Sequence, residues 1–207
     1  MLAAFWAYNG SMATTDDILR AGAALAAGGA VVFPTDTVYG VGVAVGPAKT
    51  PAELFRIKRR DEGKPVAWLV AGPEALDTYG CNVPDWARKA AEEHWPGALT
   101  LIVQASEAVP TAFASAEGTI GLRMPASETA LALIRAAGVP LATTSANISG
   151  QPAVSLDAQL DPELLEQVAA VVRGEDCTGG NGQASTVIDC TGTEPVVLRQ
   201  GSINVTK

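Results

Sequence analysis

Apolar and polar positions follow two alternating periods along the chain, one typical of helices and one typical of strands. The segment TTDDILRAGAALAAGG has apolar residues at helical spacing, a threonine N-cap, acids in its first turn and glycines at its end. The apolar run AVVFP follows and predicts a buried strand. The same succession of elements continues to the C-terminal end, which predicts a layered α/β domain built on one sheet.

The segment TPAELFRIK predicts a second helix, with Thr50 as N-cap, Pro51 in the first position and Glu53 completing a capping box. Two further helices are predicted at PDWARKAAEEHW and at SETALALIRAAG, the latter running from Ser127 to Gly138. Further strands are predicted at VAWLV, ALTLIV, TIGLRM, PLATTSAN, STVIDC and PVVLRQG. The last two strands are joined by TGTE, which is too short for a crossover helix, so the sheet should mix parallel and antiparallel pairs.

Composition is that of a globular domain, since 48% of the 207 residues are hydrophobic and 17% are charged. We expect one domain over residues 13–207, with residues 1–12 as an N-terminal extension. Apolar runs stay well below the roughly 18 residues that a membrane-spanning helix needs. The sequence therefore predicts no membrane partner.

Cysteine usage and the N-terminal residues bear on the compartment. Cys81, Cys177 and Cys190 have no C-x-x-C spacing, which argues against a disulfide framework or a zinc site. The first dozen residues are apolar but lack the basic start and the cleavage site of a secretory signal. We therefore expect a cytoplasmic protein.

The net charge of −8 disfavours nucleic-acid binding over the whole surface, because such binding requires many cations. One stretch, ELFRIKRRDEGKP, departs from this balance with four basic residues within seven positions: Lys58, Arg59, Arg60 and Lys64. On a continuing helix Lys58 and Arg60 would lie about 200° apart, so they converge only if the helix ends there. Taken alone, this stretch has two equally good interpretations. The cations complement the negative end of a helix dipole, or they form an anion site.

Two later stretches favour a ligand site. In TIGLRMP, strand alternation puts Gly121 and Arg123 on one face, which leaves room for a carboxylate or phosphate beside the guanidinium. An edge-strand arginine that faces solvent is the alternative. In TTSANISG a run of small hydrogen-bonding side chains follows an apolar strand, and the alternative there is an ordinary turn.

Seven motifs in order resemble the YrdC/TsaC family of threonylcarbamoyl-adenylate synthases: FPTDTVYGVG, the K-x-R of KRRDEGKP, WPGALT, TIGLRMP, TSANISG, STVID and LRQG. The resemblance runs from about Ile18 to about Ile203. It implies an α/β fold in which a twisted, mixed parallel and antiparallel sheet is flanked by helices around a large concave basic cavity. It also implies a nucleotidyltransferase that condenses L-threonine, bicarbonate and ATP to threonylcarbamoyl-AMP and pyrophosphate.

The acidic residues show no paired spacing that would form a dedicated metal cage, which fits Mg²⁺ arriving with ATP and no metal site of the protein's own. The product would pass to downstream tRNA threonylcarbamoyl-transfer proteins that form N6-threonylcarbamoyladenosine, so that tRNA is only an indirect partner. Matching positions assign catalytic roles to Lys58 and Arg60. They assign ATP binding to Lys58, Arg60, Lys64, Thr119, Ser145, Asn147, Ala153 and Arg199. They assign L-threonine binding to Thr37, Arg123, Thr143 and Ser185, with Thr35 as the alternative to Thr37.

Some features depart from the family pattern. Ala98 stands where proline is usual, and Trp68 and Leu69 stand where relatives often end the strand with histidine, so the threonine pocket should be lined differently. The glycines of YGVGVAVG, which are Gly40, Gly42 and Gly46, do not form a dinucleotide fingerprint and predict a strand with close backbone approach.

Two alternative functions remain open at this point. One is a related enzyme that makes or binds another carbamoyl-adenylate, as does the YrdC-like domain of hydrogenase maturation carbamoyltransferases. The other is a non-enzymatic RNA-binding module with a role in ribosome maturation, against which the net charge of −8 argues.

Overall fold

A computed structural model describes residues 13–59, 61, 66–174 and 182–205. The helices in this part of the chain are α1 Thr15–Ala26, α2 Ala52–Lys58, α3 Ala75–Tyr79, α4 Asp85–His94, α5 Glu128–Ala137 and α6 Pro162–Leu165. The strands are β1 Val31–Phe33, β2 Gly40–Ala44, β3 Ala67–Leu69, β4 Gly80–Cys81, β5 Leu99–Ala105, β6 Thr119–Arg123, β7 Leu141–Ser145, β8 Ala170–Val171, β9 Thr186–Asp189 and β10 Val196–Arg199.

All of these strands belong to one sheet in the order β10-β9-β5-β6-β3-β7-β2-β1-β8, and β4 pairs with β5. Three neighbouring pairs are parallel, β3 with β6, β5 with β9 and β1 with β8, whereas the other pairs are antiparallel. The predicted antiparallel pairing of the last two strands is confirmed. The mixed α/β fold expected from the sequence is therefore the observed one.

The two faces of the sheet carry separate hydrophobic clusters. One face packs Trp68, Leu101 and Leu122 against apolar residues of α2, α3, α4 and α6. The opposite face packs Val31, Leu69 and Leu141 against α1 and α5. Because neighbouring residues of a strand point to opposite faces, the residues that alternate with Trp68 and Leu122 lie on the face of α1 and α5.

Helix boundaries test the predicted caps. The Thr14 hydroxyl accepts from the Asp17 amide at the start of α1, Ser127 caps α5, and Gly138 ends α5 with a positive φ of 67°. The N-cap and the capping box predicted for α2 are wrong, because the helix begins at Ala52 and its N-cap is Pro51 rather than Thr50. The Thr50 hydroxyl does accept from the Ala52 amide at 3.2 Å, but the Glu53 carboxylate instead pairs with Arg56 one turn further along.

Close backbone approach explains two of the glycines in β2. A Cβ at Gly40 would lie 3.0 Å from the Thr143 side chain, and a Cβ at Gly42 would lie 2.8 Å from the Thr143 hydroxyl. The interpretation made from the sequence is therefore confirmed for these two positions. Gly46 differs, because it lies beyond the strand in a turn with φ of +101°.

No helix within the described residues combines the length and the apolar character that crossing a membrane would require. Residues 1–12 lie outside the described part, so the extension assigned to them stays a prediction.

Candidate functional site

A cavity of about 430 Å³ opens on the face of the sheet that also carries α1 and α5. It is lined by alternate residues of the central strands, among them Ala67, Gly121 and Thr143. Nine residues assigned from the sequence line it together: Thr37, Thr119, Arg123, Thr143, Ser145, Asn147, Ala153, Ser185 and Arg199. Arg60 and Lys64 lie outside the described residues.

The lining carries positive charge in an acidic protein. Arg123 and Arg199 line the cavity, and the described lining residues include no aspartate or glutamate. Most of the other polar lining groups are hydroxyls of threonine and serine. The concave basic cavity expected from the sequence is therefore present, and it offers hydrogen-bond donors to an anionic ligand.

Arg123, the last residue of β6, is held by three different groups. Its Nε donates to the Gly97 carbonyl at 2.9 Å, and its Nη1 donates to the Thr37 hydroxyl at 3.0 Å. Its Nη2 donates to Asp36 Oδ1 at 2.5 Å. Burial lowers the pKa of the Arg123 guanidinium, Asp36 acts in the opposite direction, and the nearby cation of Arg199 lowers the pKa further.

Thr35 and Thr37, the two alternatives for contact with L-threonine, have hydroxyls 3.1 Å apart but differ in their other hydrogen bonds. The Thr35 hydroxyl donates to the Val38 carbonyl at 2.6 Å and lies 3.3 Å from the amides of Thr37 and Val38, so it organises its own turn. The Thr37 hydroxyl instead contacts Arg123. Both line the cavity, but Thr37 is the threonine placed beside the guanidinium.

Arg199, the last residue of β10, forms hydrogen bonds with Ser185, the residue that precedes β9. Its Nε donates to the Ser185 carbonyl at 2.9 Å, and its Nη2 donates to the Ser185 hydroxyl at 3.1 Å. The Ser185 hydroxyl also lies 2.8 Å from the Thr100 hydroxyl on β5. Burial lowers the pKa of Arg199 as well. Gly201 permits this arrangement, because a Cβ there would lie 2.4 Å from the Thr186 backbone nitrogen.

Lys58 ends α2, and Arg59 follows with a left-handed φ of 50°, so the predicted end of the helix is confirmed. The Lys58 ammonium is buried and donates to the carbonyls of Ser145 and Asn147 at 2.5 and 2.6 Å. It also lies 3.2 Å from Asn147 Oδ1. Lys58 thus holds the turn after β7 without itself lining the cavity, whereas Ser145 and Asn147 do line it. Its predicted contact with the triphosphate stays a prediction.

The remaining assigned polar residues have local partners. The Thr143 hydroxyl donates to the Leu141 carbonyl at 2.9 Å, and the Thr119 hydroxyl lies 2.8 Å from the Ser115 hydroxyl. The Asn147 amide nitrogen donates to the carbonyls of Ile148 and Gln151. These contacts fix the orientation of side chains that border the cavity.

Three positioning contacts were not identified from the sequence. Asp36 has a detectable signal, because it is an acidic residue between two threonines directly after a buried strand. The Gly97 carbonyl and the Thr100 hydroxyl have none, since their roles depend on which strands become neighbours. Leu69, one of the two positions that depart from the family pattern, lines the cavity and is the strand neighbour of Arg123. Trp68, the other position, packs in the hydrophobic cluster on the opposite face of the sheet.

The substitution Gly121→Ala is expected to preserve the fold and to weaken ligand binding. A Cβ there would lie 3.4 Å from Thr100 Cγ2 and 3.6 Å from Ala67 Cβ, which are ordinary contact distances. The new methyl group would occupy the floor of the cavity, so affinity for ATP or L-threonine should fall roughly tenfold, as measured by calorimetric titration. Gly192→Ala is the control, because its Cβ would lie 3.8 Å from the Glu194 carbonyl, well away from the cavity lining. Unchanged affinity for both ligands in Gly121→Ala would show that neither occupies this floor.

The fold and the site together define an α/β protein with a mixed sheet whose open face forms a cationic, hydroxyl-lined cavity. The family model for Sua5, YciO and YrdC proteins, described as "Telomere recombination", matches residues 23–201. The chain belongs to the Sua5/YciO/YrdC family.

Individual relatives are similar over most of this chain. A Mycobacterium tuberculosis protein is 38% identical over 188 residues, 90% of this chain and 85% of that protein. "Threonylcarbamoyl-AMP synthase" of Pyrococcus abyssi is 35% identical over 173 residues, which are 84% of this chain but only 50% of the relative. The crystal structure of P. abyssi Sua5 complexed with L-threonine superposes with a TM-score of 0.82 at 35% identity, covering 89% of this chain and 54% of that one.

Proposed function

We propose that this chain is an L-threonylcarbamoyl-AMP synthase, which condenses L-threonine, bicarbonate and ATP and releases pyrophosphate. The observation that supports the proposal is the cavity, where two arginines and a series of hydroxyls face a common space on the sheet. The reaction brings several anionic groups together, and such a site stabilises them. Family membership and the names of the relatives point to the same activity.

L-Threonine has a carboxylate that a guanidinium can bind through two parallel hydrogen bonds. Arg123 is the candidate, with the Thr37 hydroxyl 3.0 Å from its Nη1. Thr143 and Ser185 provide hydroxyls nearby in the same cavity for the substrate hydroxyl and the carbamate. ATP then takes the part of the cavity near Arg199, Ser145 and Asn147, with Thr119 and Ala153 also bordering the space.

Threonylcarbamoyl-AMP forms by transfer of the adenylyl group. Bicarbonate takes up a proton and gives carbon dioxide and water. The threonine amine then forms a bond to the carbon of carbon dioxide and loses a proton, which gives a carbamate. A carbamate oxygen bonds to the α-phosphorus of ATP while the bond from that phosphorus to the β-phosphate oxygen breaks, and pyrophosphate leaves. The described lining includes no carboxylate, histidine or cysteine, so these side chains stabilise charge and orient the substrates, and the amine proton passes to solvent or bicarbonate.

Mg²⁺ would enter with the nucleotide. The polar lining groups of the described residues are hydroxyls, amides and guanidinium groups, which do not form a dedicated cage for a divalent cation. They fit a hydrated Mg²⁺ that is held mainly by phosphate oxygens, and the ion would neutralise charge on the leaving pyrophosphate. The cofactor is therefore part of the proposal as the partner of ATP.

The product would be consumed by separate threonylcarbamoyl-transfer proteins that act on tRNA in the cytoplasm. A net charge of −8 supports an indirect relation to tRNA, because direct binding to a polyanion would require an excess of cations.

The test is an incubation of the protein with ATP, Mg²⁺ and bicarbonate, with L-threonine, with L-serine or with no amino acid. Pyrophosphate release and the mass of the adenylate product are measured. The expected result is threonine-dependent pyrophosphate release together with a threonylcarbamoyl-AMP mass. Nucleotide binding without this product would instead favour an enzyme acting on another carbamoyl-adenylate. Tight, salt-dependent RNA binding without nucleotide binding would favour the RNA-binding module.

A further inference from the structure

The guanidinium of Arg123 is part of a buried ion pair. The side chains of Arg123 and Asp36 are only 7% and 11% exposed, and Nη2 lies 2.5 Å from Asp36 Oδ1. A guanidinium has five N–H groups, and three of those on Arg123 are used by Gly97, Thr37 and Asp36. The two remaining N–H groups, one on each Nη atom, are not used by these three acceptors, and Arg123 lines the cavity.

Asp36 acts from behind the guanidinium, because Arg123 lines the cavity whereas Asp36 does not. Its position is fixed by the turn that follows β1. There the Thr35 hydroxyl accepts from the amides of Thr37 and Val38 and donates to the Val38 carbonyl. These hydrogen bonds order the backbone on both sides of Asp36, and its carboxylate lies 2.5 Å from Arg123 Nη2.

Arg199 has a different environment. Its hydrogen-bond partners are the carbonyl and the hydroxyl of Ser185, both of which are neutral. Within the described residues the cavity thus has two cationic residues of unequal effective charge, since Arg123 forms an ion pair with Asp36 whereas Arg199 has only neutral hydrogen-bond partners. A low-dielectric cavity makes this difference significant for charged ligands.

We propose that Asp36 is the specificity-determining and positioning residue that reserves the hydrogen-bond donors of Arg123 for the amino acid. This inference rests on the proposed function. An α-amino acid is a zwitterion without net charge, so it requires directed donors for its carboxylate but gains little from net positive charge. Phosphate groups are polyanions, and the net charge at Arg199 attracts them more strongly than the neutralised pair does. Asp36 therefore separates the two substrates by charge and orients the donors of Arg123.

The substitution Asp36→Asn removes the charge but retains an amide oxygen of similar size at the same place. The KM for L-threonine should rise roughly tenfold, because Nη2 loses its charged partner and the guanidinium is less firmly oriented. Inorganic phosphate should become a competitive inhibitor against threonine at roughly tenfold lower concentration than in the wild type. The KM for ATP should change much less.

The substitution Asp36→Glu separates charge from position. It retains the negative charge but displaces the carboxylate by one methylene group, so the KM for threonine should rise while inhibition by phosphate stays at the wild-type level. Asp77→Asn is the matched control, because it removes a carboxylate from an ion pair with Arg88 that is exposed to solvent. Its kinetics should be those of the wild type.

A double variant distinguishes this role from a structural one. Adding Arg123→Ala to Asp36→Asn should abolish the new inhibition by phosphate, because that inhibition requires the guanidinium. Wild-type threonine KM and phosphate inhibition in Asp36→Asn would overturn the proposal, and so would phosphate inhibition that persists in the double variant. Thermal unfolding of each variant checks that it is folded.

A binding measurement keeps this proposal separate from the proposed function. The rise in melting temperature caused by inorganic phosphate should be larger for Asp36→Asn than for the wild type, and this comparison needs no catalytic activity. Absence of threonine-dependent pyrophosphate release from the wild type would contradict the proposed function alone. An equal effect of phosphate on both proteins would contradict the role of Asp36.

Discussion

Lys58→Ala is expected to reduce threonine-dependent pyrophosphate release at least a hundredfold and to lower the melting temperature. The ammonium is buried and donates to the carbonyls of Ser145 and Asn147 and to the Asn147 side chain. Its removal would leave buried oxygens without a donor, at a cost of about 1–3 kcal/mol for each. The turn that borders the cavity would then shift, and any direct contact between Lys58 and the triphosphate would also be lost.

Lys49→Ala is the control for this experiment, because its exposed ammonium donates to a single carbonyl, that of Gly46, at 2.7 Å. It should retain wild-type turnover and stability. The two roles of Lys58 differ in their readouts. Loss of ATP affinity at an unchanged melting temperature would indicate that Lys58 contacts phosphate directly. Loss of ATP affinity together with a lower melting temperature would indicate that Lys58 supports the turn. Full activity of Lys58→Ala would exclude both roles.

Arg123→Lys is expected to raise the KM for L-threonine by at least tenfold, with a smaller effect on the KM for ATP. A lysine retains the positive charge beside Asp36, so the buried pair is not left uncompensated and the protein should fold. An ammonium cannot reach Gly97, Thr37 and Asp36 while also offering two parallel donors to a carboxylate. Steady-state kinetics with each substrate varied in turn measure the difference.

The matched control is Arg88→Lys, which makes the same change in the exposed ion pair with Asp77 and should leave both KM values unchanged. A wild-type threonine KM for Arg123→Lys would place the substrate carboxylate elsewhere in the cavity. In that outcome Arg199 would be the next residue to test, because it is the other arginine of the described lining.

Local signals predicted a large part of the architecture. The cap at Thr14, the helix from Ser127 to Gly138 and the mixed sheet all follow from short-range patterns of capping residues and hydrophobic periodicity. The capping box at Thr50 is the informative failure. Glu53 has two ways to satisfy its carboxylate, and the ion pair with Arg56 is the one that forms.

The sequence predicted many of the residues that line the candidate site but not which residues contact one another there. Strand alternation correctly placed Gly121 and Arg123 on one face, and motif order brought Ser145, Asn147 and Arg199 to one cavity. The partners of these residues were not predictable from short-range patterns. Asp36 and Arg123 are separated by 87 residues, as are Lys58 and Ser145.

The sequence by itself determined the order of helices and strands, the mixed sheet and nine of the residues that border the cavity, because these properties depend on local periodicity and on motifs. Only the tertiary structure decided that Arg123 pairs with Asp36 while Arg199, among the residues described, bonds to the neutral Ser185, and that Lys58 supports the turn after β7. Those outcomes depend on which strands become neighbours and in what register, and distances of a few ångströms between remote residues then decide the charge at each arginine of the site.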